Sequence, residues 1–109
     1  MSRRLEKVAA LLQQQAAEVL SREFVTKNIA LSVVRVDVSP DLKNARVYLS
    51  IIGDEPVELR ARLEKVAPGL IAEYLSRKTD LRSVPHLRIL FDDSSAYAHR
   101  ISTLIDSAE

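Results

Sequence analysis

The chain has 109 residues, of which 47% are hydrophobic, and this length and composition fit one domain built around one core. It contains no cysteine, which excludes disulfides, thiol nucleophiles and zinc sites with thiolate ligands. The net charge of +1 does not by itself indicate a nucleic-acid partner, but the charge is unevenly spread, with +3 over residues 1–53 and −2 over residues 54–109. Local clusters of cations therefore decide whether a phosphate-binding surface exists.

The first predicted element is an amphipathic helix from residue 2 to about residue 22, with Ser2 as its N-cap. Its apolar residues recur three and four positions apart on one face: Leu5, Val8, Leu12, Ala16, Val19 and Leu20. Arg3, Arg4 and Lys7 lie in the first turns, where positive charge opposes the helix dipole. Either this end is a frayed, solvated terminus, or an anionic partner makes the placement favourable.

Two β-strands and a turn follow the first helix. Residues 30–38 and 45–51 are rich in β-branched and alternating apolar residues, which is typical of strands. In the first strand, Val34, Val36 and Val38 are expected on one face, and Arg35 and Asp37 on the other. Residues 39–44 carry proline, Asp and Asn, which favour a turn. The two strands are therefore predicted to form an antiparallel hairpin with one buried face.

A second helical segment covers residues 56–77, and its apolar stripe is broken in the middle. The stripe consists of Leu59, Leu63, Val66, Leu70 and Tyr74. Ala67, Pro68 and Gly69 interrupt it, because proline cannot continue the helical hydrogen bonds and glycine frees the backbone. The pattern predicts two short helices that meet at a fixed bend and pack on the same surface.

The remaining elements are a third strand and a last helix. Leu87, Ile89 and Phe91 alternate with Arg88 and Leu90, which indicates a strand. Asp92 to Ser95 can cap a C-terminal helix over about residues 94–107, whose apolar stripe is weak. A single domain over residues 1–109 is expected, with a core over about residues 3–92.

The element order predicts an α+β two-layer sandwich, in which helices cover one face of a three-stranded sheet. This order matches the type II KH module, an RNA-binding fold that grips nucleic acid with a GXXG loop between its central helices. The chain has only two glycines, Gly53 and Gly69, so no GXXG exists and Ala67-Pro68-Gly69 occupies the corresponding position. The usual clamp for extended nucleotides is therefore missing.

An Ala-X-Gly bend in place of GXXG resembles the ribosome-binding factor A family of bacterial small-subunit assembly factors. Further segments resemble that family in the right order: Arg3-Arg4 at the first helix, VDVSPDL at residues 36–42 with ARVY at 45–48, LRSVPHLRI at 81–89 and FDDS at 91–94. The resemblance covers about residues 3–106. It implies a monomeric cytoplasmic protein that binds the free 30S small ribosomal subunit. It also implies support for late maturation of 16S rRNA, including 5′-end processing by separate nucleases, with no catalysis and no cofactor.

The candidate phosphate contacts are exposed cations whose donors suit phosphate, and in arginine these donors form a planar fork. They are expected to form one basic surface that binds folded rRNA: Arg3, Arg4, Lys7, Lys43, Arg46, Arg77, Lys78 and Arg82. Less weight falls on Arg35 and Arg88, because either can pair with a strand neighbour such as Asp37. Tyr48, on the polar face of the second strand, is the aromatic most suited to RNA contact, although an exposed strand tyrosine is the simpler interpretation.

No catalytic or metal site is predicted. Asp92 and Asp93 fit helix capping better than metal binding, and His86 and His99 have no ligand spacing. The alternative function is a protein-interaction module of the same α+β shape, which would use the bare face of the sheet for docking.

Overall fold

A computed structural model describes residues 3–24, 28–78 and 83–92 of the chain. Within these ranges the elements follow the order α1 (Arg3–Glu23), β1 (Ile29–Val38), β2 (Asn44–Gly53), α2 (Leu59–Lys78) and β3 (His86–Phe91). The predicted C-terminal helix over residues 94–107 lies outside the described residues. Neither described helix is long and apolar enough to cross a membrane.

The three strands form one mixed sheet in the order β1-β2-β3. β1 and β2 are antiparallel, as the hairpin prediction requires, and Val38 lies opposite Ala45. β3 runs parallel to β2, with Asn44 opposite His86 and Leu49 opposite Phe91. This arrangement confirms the predicted α+β fold.

Both helices lie on one face of the sheet and contact each other, with α1 over β1 and α2 over β3. The central strand β2 supplies the middle of the core, because its alternate residues Ala45, Val47, Leu49 and Ile51 are buried. The predicted stripe of α1 is largely confirmed, since Val8, Leu12, Ala16, Val19 and Leu20 are buried. No described helix covers the other face of the sheet, which we call the open face.

A β-bulge corrects the predicted alternation along β1. Val33 pairs with Leu49 and Arg35 pairs with Tyr48, so Val34 has no partner in β2. Val33 and Val36 pack against the core on either side of the bulge, whereas Val34 is 37% exposed. The prediction that Val34 shares the inner face with Val36 and Val38 is therefore wrong, because the bulge adds one residue between the two inward-facing sets.

The predicted division of the second helical segment into two helices is also wrong. The backbone is helical without interruption from Leu59 to Lys78, with Pro68 inside, and Gly69 does not adopt a positive φ. The fully buried leucines and isoleucine on both sides of Pro68 contribute about 1.5–3 kcal/mol each. In sum they exceed the roughly 3 kcal/mol that a proline inside a helix costs, so the helix continues. A bend of the axis at Pro68 stays a prediction.

The buried side chains of α2 match the predicted stripe at Leu59 and Leu63 and differ from it further along the helix. Buried side chains recur every four residues: Leu59, Leu63, Ala67, Ile71 and Leu75. Val66 is 38% exposed, and Leu70 and Tyr74 are only partly buried beside this row. The small side chain of Ala67 lies at the centre of the row, where it is fully buried.

Candidate nucleic-acid interface

α1 begins and the β1–β2 hairpin turns at the same end of the sheet. Gln13 Nε2 donates a 3.4 Å hydrogen bond to the Val33 carbonyl, which places the middle of α1 over the middle of β1. Because β1 starts a few residues after α1 ends, β1 runs back along the helix. The N-terminus of α1 therefore points toward the hairpin loop.

β3 also begins at this end of the sheet, whereas α2 begins at the other end. The His86 amide donates a 2.8 Å hydrogen bond to the Lys43 carbonyl, so β3 starts beside the hairpin loop. Arg60, near the start of α2, lies over the Phe91 ring at the far end of β3, with 4.8 Å from its guanidinium carbon to the ring centroid. α2 thus begins opposite to β3. Four predicted cations lie where the start of α1 and the hairpin loop come together, which we call the basic end: Arg3, Arg4, Lys7 and Lys43.

The α1 cations of the basic end are exposed and lie beside apolar side chains. A surface depression of about 370 Å³ is lined by Arg3, Arg4 and Lys7 together with Val8 and Leu11. The side chains all come from the first turns of one helix, where the spacing of three and four residues keeps them adjacent. This part of the surface can offer guanidinium and ammonium donors to an anion.

The hairpin loop holds Lys43 through a compact set of hydrogen bonds around Asp41. The Ser39 hydroxyl donates to Asp41 Oδ1 over 2.6 Å, and the Lys43 amide donates to the same oxygen over 3.0 Å. These hydrogen bonds lower the pKa of Asp41, with the Ser39 hydroxyl as the larger cause. Leu42 adopts a φ of 62°, so the turn is tight and the Lys43 backbone has a defined position.

Arg77 and Lys78 lie at the end of α2, beside Tyr74 and the C-terminal part of α1. Arg77 forms a 2.7 Å ion pair with Glu73 one turn earlier, and the Lys78 ammonium lies 5.8 Å from the centre of the Tyr74 ring. The Tyr74 hydroxyl donates a 2.8 Å hydrogen bond to Glu18 of α1, which raises the pKa of Tyr74. Arg82, the other predicted cation of this segment, lies outside the described residues.

Arg46 is separated from the other predicted cations. It follows Ala45, which is buried under the helices, so its side chain is on the open face of the sheet. Arg35 and Arg88 occupy the same face, because Arg35 pairs with Tyr48 and Arg88 pairs with Arg46. The sequence alone gives little weight to Arg35 and Arg88. It does not show that β3 pairs in parallel with β2, which is what brings Arg88 beside Arg46.

A groove runs along the free edge of β3 next to Pro68. It has a volume of about 470 Å³ and is lined by Glu64, Lys65 and Pro68 from α2 and by residues 86–90 of β3. A Cβ atom added at Gly69 would meet no atom within 4 Å. The triplet Ala67-Pro68-Gly69 therefore occupies a helix flank beside this groove and offers no flexible glycine loop that could close around a phosphate.

Acid and histidine side chains do not gather into a metal site in the described residues, where no group of three His, Cys, Asp or Glu could hold an ion. His86 is exposed at the start of β3, while Asp93 and His99 lie outside the described residues. The absence of a catalytic centre stays a prediction.

The sequence and the fold match one family in three comparisons. Residues 4–105 match the family model of ribosome-binding factor A. Ribosome-binding factor A of Coxiella burnetii (strain RSA 493 / Nine Mile phase I) is 40% identical over 110 residues, which span 99% of this chain and 92% of that protein. The protein of the same name from Nitrosococcus oceani is 37% identical over 108 residues, with 96% and 84% coverage.

Solved structures of the same name share the fold. The crystal structure of ribosome-binding factor A from Thermus thermophilus superimposes with a TM-score of 0.63 at 25% identity, covering 80% of this chain and 93% of that one. A homology model of the Thermus thermophilus factor, fitted into a cryo-EM map of a 30S complex, gives a TM-score of 0.65 at 27% identity, covering 79% and 92%.

Proposed function

Because this chain belongs to the ribosome-binding factor A family, we propose that it binds the free 30S small ribosomal subunit through rRNA. The related Thermus thermophilus factor has been fitted into a map of a 30S complex, which supports the choice of partner. The chain then acts in the cytoplasm, where small subunits are assembled. The inference concerns binding and assembly, and it assigns no chemical step to this chain.

The observation that carries the proposal is the convergence of cations at the basic end. Arginine and lysine side chains from the start of α1 and from the hairpin loop lie at one end of the sheet, and Arg77 and Lys78 add cations beside the C-terminal part of α1. A phosphate backbone is the ligand that matches such a surface, because each contact releases condensed counterions. The missing GXXG loop disfavours the grip on an extended single strand, so a folded rRNA surface fits better.

The mechanism follows from differential affinity. A protein that binds one rRNA conformer more tightly than another shifts the population toward the first conformer. We infer that the chain favours a late precursor form of 16S rRNA and leaves when the mature conformer no longer fits. Processing of the 5′ end by separate nucleases is then assisted because the precursor is held in a suitable conformation.

The test measures co-sedimentation of the protein with free small subunits at several salt concentrations. The variant R3A/K7A removes two cations of the basic end, and R22A/R62A is the matched control, since Arg22 lies at the opposite end of α1 and Arg62 near the start of α2. We expect R3A/K7A to bind about tenfold more weakly and to lower the log–log salt slope by about 2, with the control close to wild type.

Equal binding by R3A/K7A and the control would remove the basic end from the interface. Binding that persists after nuclease removes the exposed RNA, or that does not depend on salt, would favour the alternative of a protein-interaction module.

A further inference from the structure

The open face of the sheet carries a compact group of arginine side chains around one tyrosine. Two neighbouring rows cross the three strands there. One row consists of Arg35, Tyr48 and Leu90, and the next consists of Asp37, Arg46 and Arg88. Because the two rows are two residues apart along each strand, they lie roughly 7 Å apart.

Tyr48 lies at the centre of this group and is held by two guanidinium groups. The Arg35 guanidinium carbon is 4.2 Å from the centre of the Tyr48 ring, which is a close cation–π arrangement. Hydrogen bonds from Arg46 and then from Arg35 to the phenol oxygen lower the pKa of Tyr48. The tyrosine is therefore fixed in orientation on the open face, with Leu90 as its neighbour on β3.

Arg46 and Arg88 lie directly opposite each other on adjacent strands. Like charges in this position destabilise a sheet. Asp37, the nearest acid across β1, forms a 3.6 Å ion pair with Arg35. Neither Arg46 nor Arg88 forms an ion pair with another described residue. Asp37, opposite Arg46, and the Tyr48 hydroxyl offset part of the repulsion between the two arginines, and an anion bound from outside would stabilise the pair further.

We propose that the open face is a second RNA-binding surface, with Arg46 and Arg88 holding a phosphate group and Tyr48 and Leu90 contacting a base. The proposal rests on the proposed function for its ligand class, RNA, but it concerns a different surface from the basic end. The two rows match the two parts of a nucleotide, since one offers charged donors and the other an aromatic ring and an aliphatic side chain.

RNA fits this face better than an acidic polypeptide. A carboxylate would use only the two guanidinium groups, whereas the ring of Tyr48 and the plane of Arg35 form a stacked pair that a nucleobase can extend. Asp37 also lies in the charged row, so a densely acidic chain would meet repulsion there. With a contact surface on the basic end and another on the open face, one molecule can hold two segments of folded rRNA together.

The experiment is an NMR titration of the wild-type protein with a short oligouridylate, followed through the guanidinium signals of Arg35, Arg46 and Arg88 and the ring signals of Tyr48. Polyglutamate is titrated in parallel. We expect oligouridylate to shift the arginine signals and, through the ring current of a stacked base, to shift the Tyr48 ring signals strongly. Polyglutamate has no aromatic ring, so it should shift the Tyr48 ring signals much less. This measurement does not use ribosomal subunits, so its outcome is independent of the co-sedimentation test.

Paired variants measure what each part of the surface contributes to the affinity for oligouridylate. R46A/R88A is expected to bind at least about tenfold more weakly, and R46K/R88K to recover part of the affinity, because lysine keeps the charge and loses the planar fork. Y48F should bind like wild type, whereas Y48L should lose about tenfold, since only the latter removes the ring. R22A/R62A again controls for net charge, and circular dichroism confirms that each variant is folded.

Unmoved side-chain signals on the open face would overturn the proposal, whether or not the basic end responds to the RNA. Equal shifts of the arginines by polyglutamate, with no movement of the Tyr48 ring by oligouridylate, would overturn it in favour of an acidic protein partner. Normal co-sedimentation by R46A/R88A together with unchanged affinity for oligouridylate would show that the basic end alone carries the RNA contact.

Discussion

At the scale of single residues, Gly53 is required where β2 leaves the sheet beside the start of β1. Its φ is +113°, and a Cβ atom there would lie 2.0 Å from the Asn28 carbonyl oxygen. That oxygen also accepts a 2.9 Å hydrogen bond from the Asp54 amide, so the backbone cannot move aside without losing the bond. Gly69 differs in both respects, because it lies inside α2 and has open space around it.

The two glycines therefore give a matched pair of substitutions. We expect Gly53→Ala to lower the free energy of unfolding by about 3 kcal/mol or more, since it combines a strained φ with a clash against backbone. Gly69→Ala should raise that free energy by about 0.5–1 kcal/mol, because alanine is the better helix former. Urea denaturation measures both. A stable G53A protein, or a destabilised G69A protein, would contradict the local geometry described here.

Tyr48 and Tyr74 are predicted to ionise in different pH ranges. The arginine hydrogen bonds lower the pKa of Tyr48, whereas donation to the Glu18 carboxylate raises the pKa of Tyr74. In a Tyr97→Phe background, we expect phenolate absorbance to rise in two steps, with Tyr48 ionising first. Arg46→Ala should move the first step to higher pH and leave the second unchanged. A single step common to both rings would refute this assignment.

The same shifts give opposite contributions to stability. Folding lowers the pKa of Tyr48. Its contribution to the free energy of unfolding is therefore complete above the pKa of an unfolded tyrosine, about 10, and is lost as the pH falls through the folded pKa. Folding raises the pKa of Tyr74. Its contribution to the free energy of unfolding is therefore complete below a pH of about 10 and is lost as the pH rises through the folded pKa.

At the scale of elements, the bulge at Val34 decides which side chains of β1 reach the core. Without it, the residues on either side could not both face inward, since side chains alternate strictly along a regular strand. The bulge also bends β1 and interrupts its pairing with β2 near one edge of the sheet. The side chains of β1 and β2 that point toward the helices thus stay on the same face of the sheet along the whole hairpin.

Neighbouring valines provide the test of this register. Val33→Asp should lower the free energy of unfolding by about 2–3 kcal/mol more than Val34→Asp, because only Val33 packs against the core. Thermal unfolding of both variants checks the difference. The reverse order would show that Val34 faces inward and that the strand alternates regularly.

At the scale of the whole molecule, one hydrophobic core joins every described element. Its buried residues come from α1, all three strands and α2. Among them, Leu12 of α1, Val47 of β2 and Leu63 of α2 are fully buried. Both candidate RNA surfaces are attached to this core from different sides. Their relative position is therefore as rigid as the packing between the helices and the sheet.

This shared core predicts a single cooperative unfolding transition. Circular dichroism and tyrosine fluorescence should give the same urea midpoint, since helices and sheet cannot keep their buried faces separately. Leu63→Ala should shift both midpoints together and cost about 2–5 kcal/mol. Separate midpoints for the two signals would indicate two independently folding parts.

Much of the fold could be predicted from the sequence. Side-chain periodicity located α1, the hairpin and β3, because local hydrophobic spacing dictates which face an element buries. The order of elements and the quoted segments also led to the correct family. The cations of the basic end could be named individually, since charge is written in the sequence and their segments lie at predictable ends.

Other features depended on contacts between distant residues. Proline and glycine predicted a break at Pro68, yet packing on both sides of it keeps α2 continuous. The bulge at Val34 arises from matching β1 to β2, which no single strand specifies. Arg88 lies beside Arg46 only because β3 pairs in parallel with β2, so the grouping of Arg88 with Arg46 and Tyr48 had no visible signal in the chain. Local sequence patterns determine where the helices, strands and charged side chains lie along the chain. The register of the strands and the side chains that become neighbours are set by packing between distant residues, which no short stretch of sequence contains.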